Sequence, residues 1–236
     1  MKSRKLLTRS LIGAALLLPT AGMAAEGISY SWLEADYIVQ DIDRYEEGGI
    51  LDNFLDDFDD GDGWGAAGSF AFTDHFFAFG SYSTTEADYT FIDDTGLLIP
   101  RNEDVKTLKA GLGFNTPLSS KVDLVARAAY VDVDYGSFNF GASDDNFNNT
   151  GDFKDAIRDL NNDSSDGWLA DVGVRAQVVN WLELGGGVRY TDLDQGDDFS
   201  VFGNALFEIT ENIGINISGD FGGEISTYMA GVRYSF

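Results

Sequence analysis

The chain has 236 residues, no cysteine, 14% aromatic side chains and a formal charge of −25. Without thiols there is no disulfide framework, no thioether-linked lipid anchor and no thiolate-bound zinc or iron–sulfur centre. The negative charge excludes nucleic acid as a partner, because phosphate binding needs clustered Lys and Arg, and no run of about 18 apolar residues supports a membrane-spanning helix.

The N-terminus reads as a secretory signal peptide over residues 1–24. Lys2, Arg4, Lys5 and Arg9 precede the apolar run Leu11 to Leu18, and cleavage after Ala24 puts Gly22 at the minus-three position, where a small residue is required. Removing the leader's four basic residues leaves 11 Lys and Arg against 40 Asp and Glu, a formal charge of −29 for a single domain over 25–236. A comparable charge also occurs in disordered chains, but the aromatic content and a clear periodicity argue for a fold.

That periodicity is two, repeated in segments of roughly ten residues. The first segment, Ile28 to Gln40, sets Leu33, Ala35, Tyr37 and Val39 against Glu34 and Asp36, although Tyr30 and Trp32 fall on the other parity. Trp64 to Phe72 and Phe76 to Thr84 follow, joined by Thr73, Asp74 and His75, a spacing that pairs Ser69 with Phe79 and Ala71 with Phe77. Val105 to Phe114 turns Thr107 and Lys109 inward. Val122 to Val133 does the same with Asp123, Val125 and Arg127. Trp168 to Val178 alternates most cleanly, with Asp171, Arg175 and Gln177 on its polar face. Leu182 to Asp192, Phe199 to Ile209, Ile213 to Phe221 and Ile225 to Phe236 complete the series. An apolar face meeting lipid and a polar face meeting an interior describe an all-β, antiparallel up-and-down transmembrane β-barrel. Ten strands are expected, with eight as the alternative.

Connection lengths support this topology. Short turns are expected at 73–75, 115–121, 179–181 and 210–212, with both termini on the periplasmic side, and long connections at 41–63, 85–104 and 134–166 on the outer side. Those near 193–198 and 222–224 are short. These directions place Trp64, Tyr82, Tyr130, Trp168, Tyr190 and Tyr228 towards the outer interface and Phe72, Phe76, Phe114, Tyr234 and Phe236 towards the inner one. Two aromatic girdles result, which an edge strand of a soluble β-sandwich does not explain.

On the endings Arg233-Tyr234-Ser235-Phe236, the opening Tyr30-Ser31-Trp32-Leu33-Glu34-Ala35-Asp36-Tyr37, and the stretches Asp62-Gly63-Trp64-Gly65, Phe79-Gly80-Ser81-Tyr82 and Asp166-Gly167-Trp168, the mature chain resembles a known group. It is similar to the small bacterial outer-membrane barrels related to OmpX and the OmpA membrane domain, and most like the diffusible-signal-factor-regulated outer-membrane barrel proteins. The resemblance implies location in the bacterial outer membrane and an assembly signal in the last strand, at Tyr234 and Phe236, read by the barrel-insertion machinery. Ten strands and long acidic loops depart from OmpX.

Three places could carry chemistry. Inward-facing charges, namely Glu34, Asp36, Lys109, Arg127, Asp171, Arg175, Glu183, Arg189, Glu208, Asp220 and Arg233, form either a self-neutralising lumen network or the wall of a narrow pore. A three-residue turn at 179–181 sets Asp171 opposite Arg189 and Gln177 opposite Glu183, whereas the simplest register brings Lys109 near Arg127. Asp57, Asp59, Asp60 and Asp62 are the candidate for a weak Ca²⁺ site, since crowded carboxylates favour a hard cation. The EF-hand pattern is not met, because Gly61 stands fifth and no closing Glu follows, and a solvated acidic loop is the plainer reading. In the third loop, Phe153, Ile157 and Leu160 share a helical face that Asp152 could cap, giving a rim helix, a lumen plug or a partner patch.

No enzyme activity and no cofactor are expected. Omptin-like proteases and lipid A deacylases need a histidine at the outer rim, and the single histidine, His75, falls in a periplasmic turn. Gly185, Gly186 and Gly187 lie inside a strand with no helix following, so they form no phosphate loop. The expected role is that of a non-enzymatic, monomeric envelope barrel with acidic surface loops, embedded in the lipid bilayer and lipopolysaccharide with divalent cations at its loops. The alternative is a narrow, cation-preferring channel.

Overall fold

A computed structural model describes residues 24–42, 55–58, 61–92, 98–134, 164–194, 196–222 and 225–236. Most of the expected signal peptide, the third-loop segment 152–160 and the acidic pair Asp59 and Asp60 lie outside these residues. The strands are β1 (Trp32–Ile42), β2 (Leu55–Phe58), β3 (Gly61–Ala71), β4 (Phe76–Ile92), β5 (Leu98–Ser119), β6 (Val122–Asp134), β7 (Ser164–Val179), β8 (Leu182–Leu193), β9 (Gly196–Glu208), β10 (Ile213–Gly222) and β11 (Ile225–Ser235). Ten of them, all but β2, pair antiparallel with their neighbours in sequence. The ring closes where β1 meets β11, from Trp32 opposite Ser235 to Ile42 opposite Ile225. No sheet edge is left along the wall, as a membrane-spanning sheet requires.

Alternation sorts the side chains as lipid and lumen demand. Leu33, Leu108, Leu112, Val172, Val174, Ile217 and Val232 are exposed on the outside. The buried side chains that face in are largely polar, among them Asp123, Asp171, Gln177, Glu183, Asn216 and Arg233. This inverts a soluble protein, in which charges stay at the surface. Outward rings gather at both ends: Trp64 with Tyr82 and Trp168 with Tyr190 at one, Phe76 with Phe114 and Tyr234 with Phe236 at the other. Phe199 and Phe207, eight residues apart on β9, lie about 27 Å apart along the strand. At a tilt near 40° that is roughly 21 Å of barrel height, close to the apolar band of about 25 Å typical of outer-membrane barrels.

Four expectations need correction. The first strand begins at Trp32 rather than Ile28, and residues 25–31 leave the wall and fold across the lumen. The expected loop at 85–104 is largely hairpin: β4 and β5 stay paired up to Ile92 opposite Leu98, and Tyr89, Thr90, Phe91 and Ile92 are aromatic or β-branched residues that favour strand. Residues 55–58, expected in a loop, extend the row of β3 along β4, with Phe58 opposite Tyr89. The expected turn at 115–121 shrinks to Ser120 and Lys121, since β5 runs on through Asn115 and Pro117 to a bulge before Ser119. Proline is tolerated at such a bulge because one ladder bond is already missing there. The register therefore differs from the simplest one, and Lys109 faces Val131 while Arg127 faces Gly113.

Candidate functional site

The lumen is built in layers, starting from the end that carries the termini. Its floor is the segment after Ala24. Gly27 turns the chain with φ +87, a conformation that suits glycine, and a Cβ there would lie 3.0 Å from Gln177 Cγ. Ile28 and Tyr30 are buried against Phe77 and Val125, with the Tyr30 and Phe77 rings stacked at 4.8 Å. Hydrogen bonds tie this segment to the surrounding wall. Glu26 N–H donates to Ser120 O, Ser69 Oγ to Tyr30 O, Ala71 N–H to Ser31 Oγ, Arg175 Nη1 to Ser29 O, and Phe236 N–H to Ser31 O. Asp123 receives the Ala25 N–H and the Tyr30 hydroxyl.

Directly above, Arg175 grips Glu183 through two parallel bonds and lies over the Tyr30 ring, its guanidinium carbon 4.6 Å from the ring centre. Gln177, opposite Glu183 in the β7–β8 register, reaches Glu208 Oε1 at 3.5 Å. The next layer spans the barrel. Asp171 accepts from Arg127 at 2.8 Å and from Arg189 at 3.4 Å, and Arg189 also bonds Asp220. Phe202 lies beneath both guanidiniums, 5.4 Å from that of Arg127 and 5.0 Å from that of Arg189. On the opposite wall Arg233 donates to Glu34 at 2.6 Å and lies over Trp32, while Asn216 donates to the other Glu34 oxygen. Asp36, next inward on β1, packs across Gly231, and among the described residues its Oδ1 is buried without a hydrogen-bond donor. Lys109 joins the wall of a partly open cavity of about 320 Å³ lined by many of these side chains, and makes no ion pair within 4 Å among the described residues.

The expected lumen charges thus come together in three groups, centred on Glu183, Asp171 and Glu34, with Asp36 beside Glu34 and Arg233 and with Lys109 outside all three. Asp123, Tyr30, Asn216 and Phe202 also take part in these layers, beyond the expected charges. Inward parity on β6 marks Asp123, and the parity break at Tyr30 and Trp32 marks the floor.

Of the four candidate Ca²⁺ carboxylates, Asp59 and Asp60 lie outside the described residues. Asp57 belongs to β2, opposite Thr90, and Asp62 belongs to β3, where it accepts the Tyr37 hydroxyl at 2.9 Å. No group of three metal-binding side chains occurs among the described residues. Instead, carboxylates lie in rungs just beyond the girdle farthest from the termini. Asp62, Glu86 and Asp104 are successive partners across β3, β4 and β5, Asp132 faces Asp166, and Asp192 faces Asp197. Girdle rings hold some of them: Tyr130 donates to Asp166 and Trp168 Nε1 to Asp192, both at 3.1 Å. Like charges directly opposite one another on a sheet repel. At the other end His75 Nδ1 lies 3.0 Å from Asn115 O, in the β3–β4 turn.

The fold is shared with solved small outer-membrane barrels. The β domain of the Bordetella autotransporter BrkA aligns over 88% of this chain and 99% of its own at 11% identity, with a TM-score of 0.53. OprG from Pseudomonas aeruginosa aligns over 90% and 99% at 11% identity with a TM-score of 0.43, and Ail of Yersinia pestis over 88% and 99% at 14% identity with 0.37. No family model matches the chain, and no curated protein does.

Proposed function

We propose that this chain, a barrel with the fold of small bacterial outer-membrane proteins, is a monomeric, non-enzymatic envelope barrel whose lumen does not conduct. The observation that supports this reading is the obstructed interior. The floor of residues 25–31 is bonded to the wall at several points, and Arg127, Asp171, Arg189 and Asp220 meet above it. Ten strands enclose far less space than a 16-strand porin, and paired charges occupy much of it.

Short turns lie at the end that carries the termini, as at the periplasmic face of bacterial barrels, so the acidic end is assigned to the outside. There, outward carboxylate rungs sit at headgroup level, where lipopolysaccharide presents phosphates. Two layers of negative charge coexist when divalent cations lie between them, so Mg²⁺ or Ca²⁺ shared along the rim is the partner proposed, without a defined coordination site. The single histidine lies at the far end from this rim, which supports a non-enzymatic role.

Purified barrel in a planar bilayer tests the closed lumen. Silence at moderate voltage is the expected result. Reproducible unitary steps with cation selectivity would establish the other reading, a narrow channel through the cavity beside Lys109.

A further inference from the structure

The floor of the lumen begins on a receptor for one particular nitrogen. Ala25 N lies 3.0 Å from Asp123 Oδ1 and 3.2 Å from Oδ2. A peptide N–H has one hydrogen and cannot aim it well at two oxygens, whereas an ammonium has three and can serve both. Asp123 is 0% exposed, and its other hydrogen bond among the described residues comes from a neutral group, the Tyr30 hydroxyl. Arg175, its partner across the β6–β7 rung, is turned to Glu183 and to the Ser29 carbonyl instead. A fully buried carboxylate served by neutral donors alone is costly, and a cation in contact relieves that cost. Ala25 is also the residue that follows the expected leader cleavage, with small residues at Ala24 and Gly22.

We propose that removal of the leader supplies the missing cation, so that the α-ammonium of Ala25 forms an internal ion pair with Asp123 and locks the lumen floor. A signal peptidase hydrolyses the Ala24–Ala25 amide with one water. The C–N bond breaks, Ala24 leaves as a carboxylate on the released leader, and Ala25 keeps an amine that takes a proton at neutral pH. Asp123 is then a positioning residue for the new N-terminus, and export processing is coupled to the stability of the barrel. The inference rests on the reading of the chain as an exported barrel with a cleaved leader. It does not depend on whether the lumen conducts.

The test begins with the N-terminal residue of protein recovered from outer membranes. Ala25 is expected, and any other start overturns the proposal. Next, chains covering 25–236, which hold the whole described barrel, are refolded in detergent in three forms: with a free Ala25 amine, with the amine acetylated, and with one Gly added ahead of Ala25. Heat-modifiable gel mobility reports unfolding. The free-amine chain should unfold on the order of 10 °C above the other two, and Asp123→Asn should abolish that difference. Equal midpoints for the three forms overturn the ion pair, as does a difference that survives in D123N. If D123N does not fold, the three forms with Asp123 intact decide alone. Conductance reads the closed lumen separately, so failure of one reading is distinguishable from failure of the other.

Discussion

Arg175 and Glu183 face each other inside the barrel through parallel bonds of 2.7 and 2.9 Å, with side chains 15% and 1% exposed. A bidentate pair this deep is costly to break from one side, because the remaining charge stays buried. Glu183→Ala should lower stability by about 3–5 kcal/mol in urea unfolding. Arg175→Met together with Glu183→Leu should cost clearly less than Glu183→Ala alone. Equal losses would show that the charge pair is not what the lumen depends on here.

Tyr30 joins the floor to the wall by its stacked ring and by its hydroxyl on Asp123. Tyr30→Ala removes both and leaves a gap beside Phe77. Unitary conductance should appear in planar bilayers with Tyr30→Ala and be absent in the parent chain, while Tyr30→Phe, which keeps the ring, should stay silent.

The rung Asp62, Glu86 and Asp104 concentrates three carboxylates on the lipid side of adjacent strands. Glu86→Gln removes the central charge and relieves repulsion on both sides, by roughly 0.2–1 kcal/mol per pair. In lipopolysaccharide-containing vesicles the parent barrel should gain thermal stability as Mg²⁺ is added. Glu86→Gln should gain less, and should be the more stable of the two in chelator. An identical Mg²⁺ response in both would remove the rim from the account of lipid binding.

Gly113 leaves room for the Phe77 ring. A Cβ at 113 would lie 2.1 Å from Phe77 Cζ, so the ring must move. Gly113→Ala should destabilise by about 1–3 kcal/mol through overpacking. Adding Phe77→Leu should recover part of that loss, and a double-mutant cycle in urea with no coupling would refute the contact.

The wall of the barrel was legible because alternation is a strong signal when one face meets lipid and the other a polar interior. Trp168 to Val178 shows it residue by residue, and the observed β7 contains that segment. Inward parity also identified Asp171 and Arg189, which are rung partners. The floor was visible only as a defect, the parity break at Tyr30 and Trp32, because a segment that crosses a lumen has no period. The extended β4–β5 hairpin was hidden by Glu86, Asp88, Glu103 and Asp104, whose polarity imitates a loop although their neighbours favour strand. The offset of Lys109 from Arg127 is not legible in the sequence, because strand length past Pro117 is set by where the two-residue turn falls, and composition does not report that.

The β1–β11 seam joins the two ends of the chain, and the Glu34–Arg233 bond crosses it over a separation of 199 residues. Loop closure over such a distance comes late, because its entropy is lost before the contact repays it. Every other wall pairing joins strands linked by one connection, so those hairpins can accumulate as an open, curled sheet. The barrel as a whole exists only once its last strand arrives. Phe236 N–H then meets Ser31 O on the segment that floors the lumen. Without β11 the outer edges of β1 and β10 have no partner, and the floor loses its bond from Phe236. The seam thus adds one more hydrogen bond to those by which Ser69, Ala71 and Arg175 hold the floor.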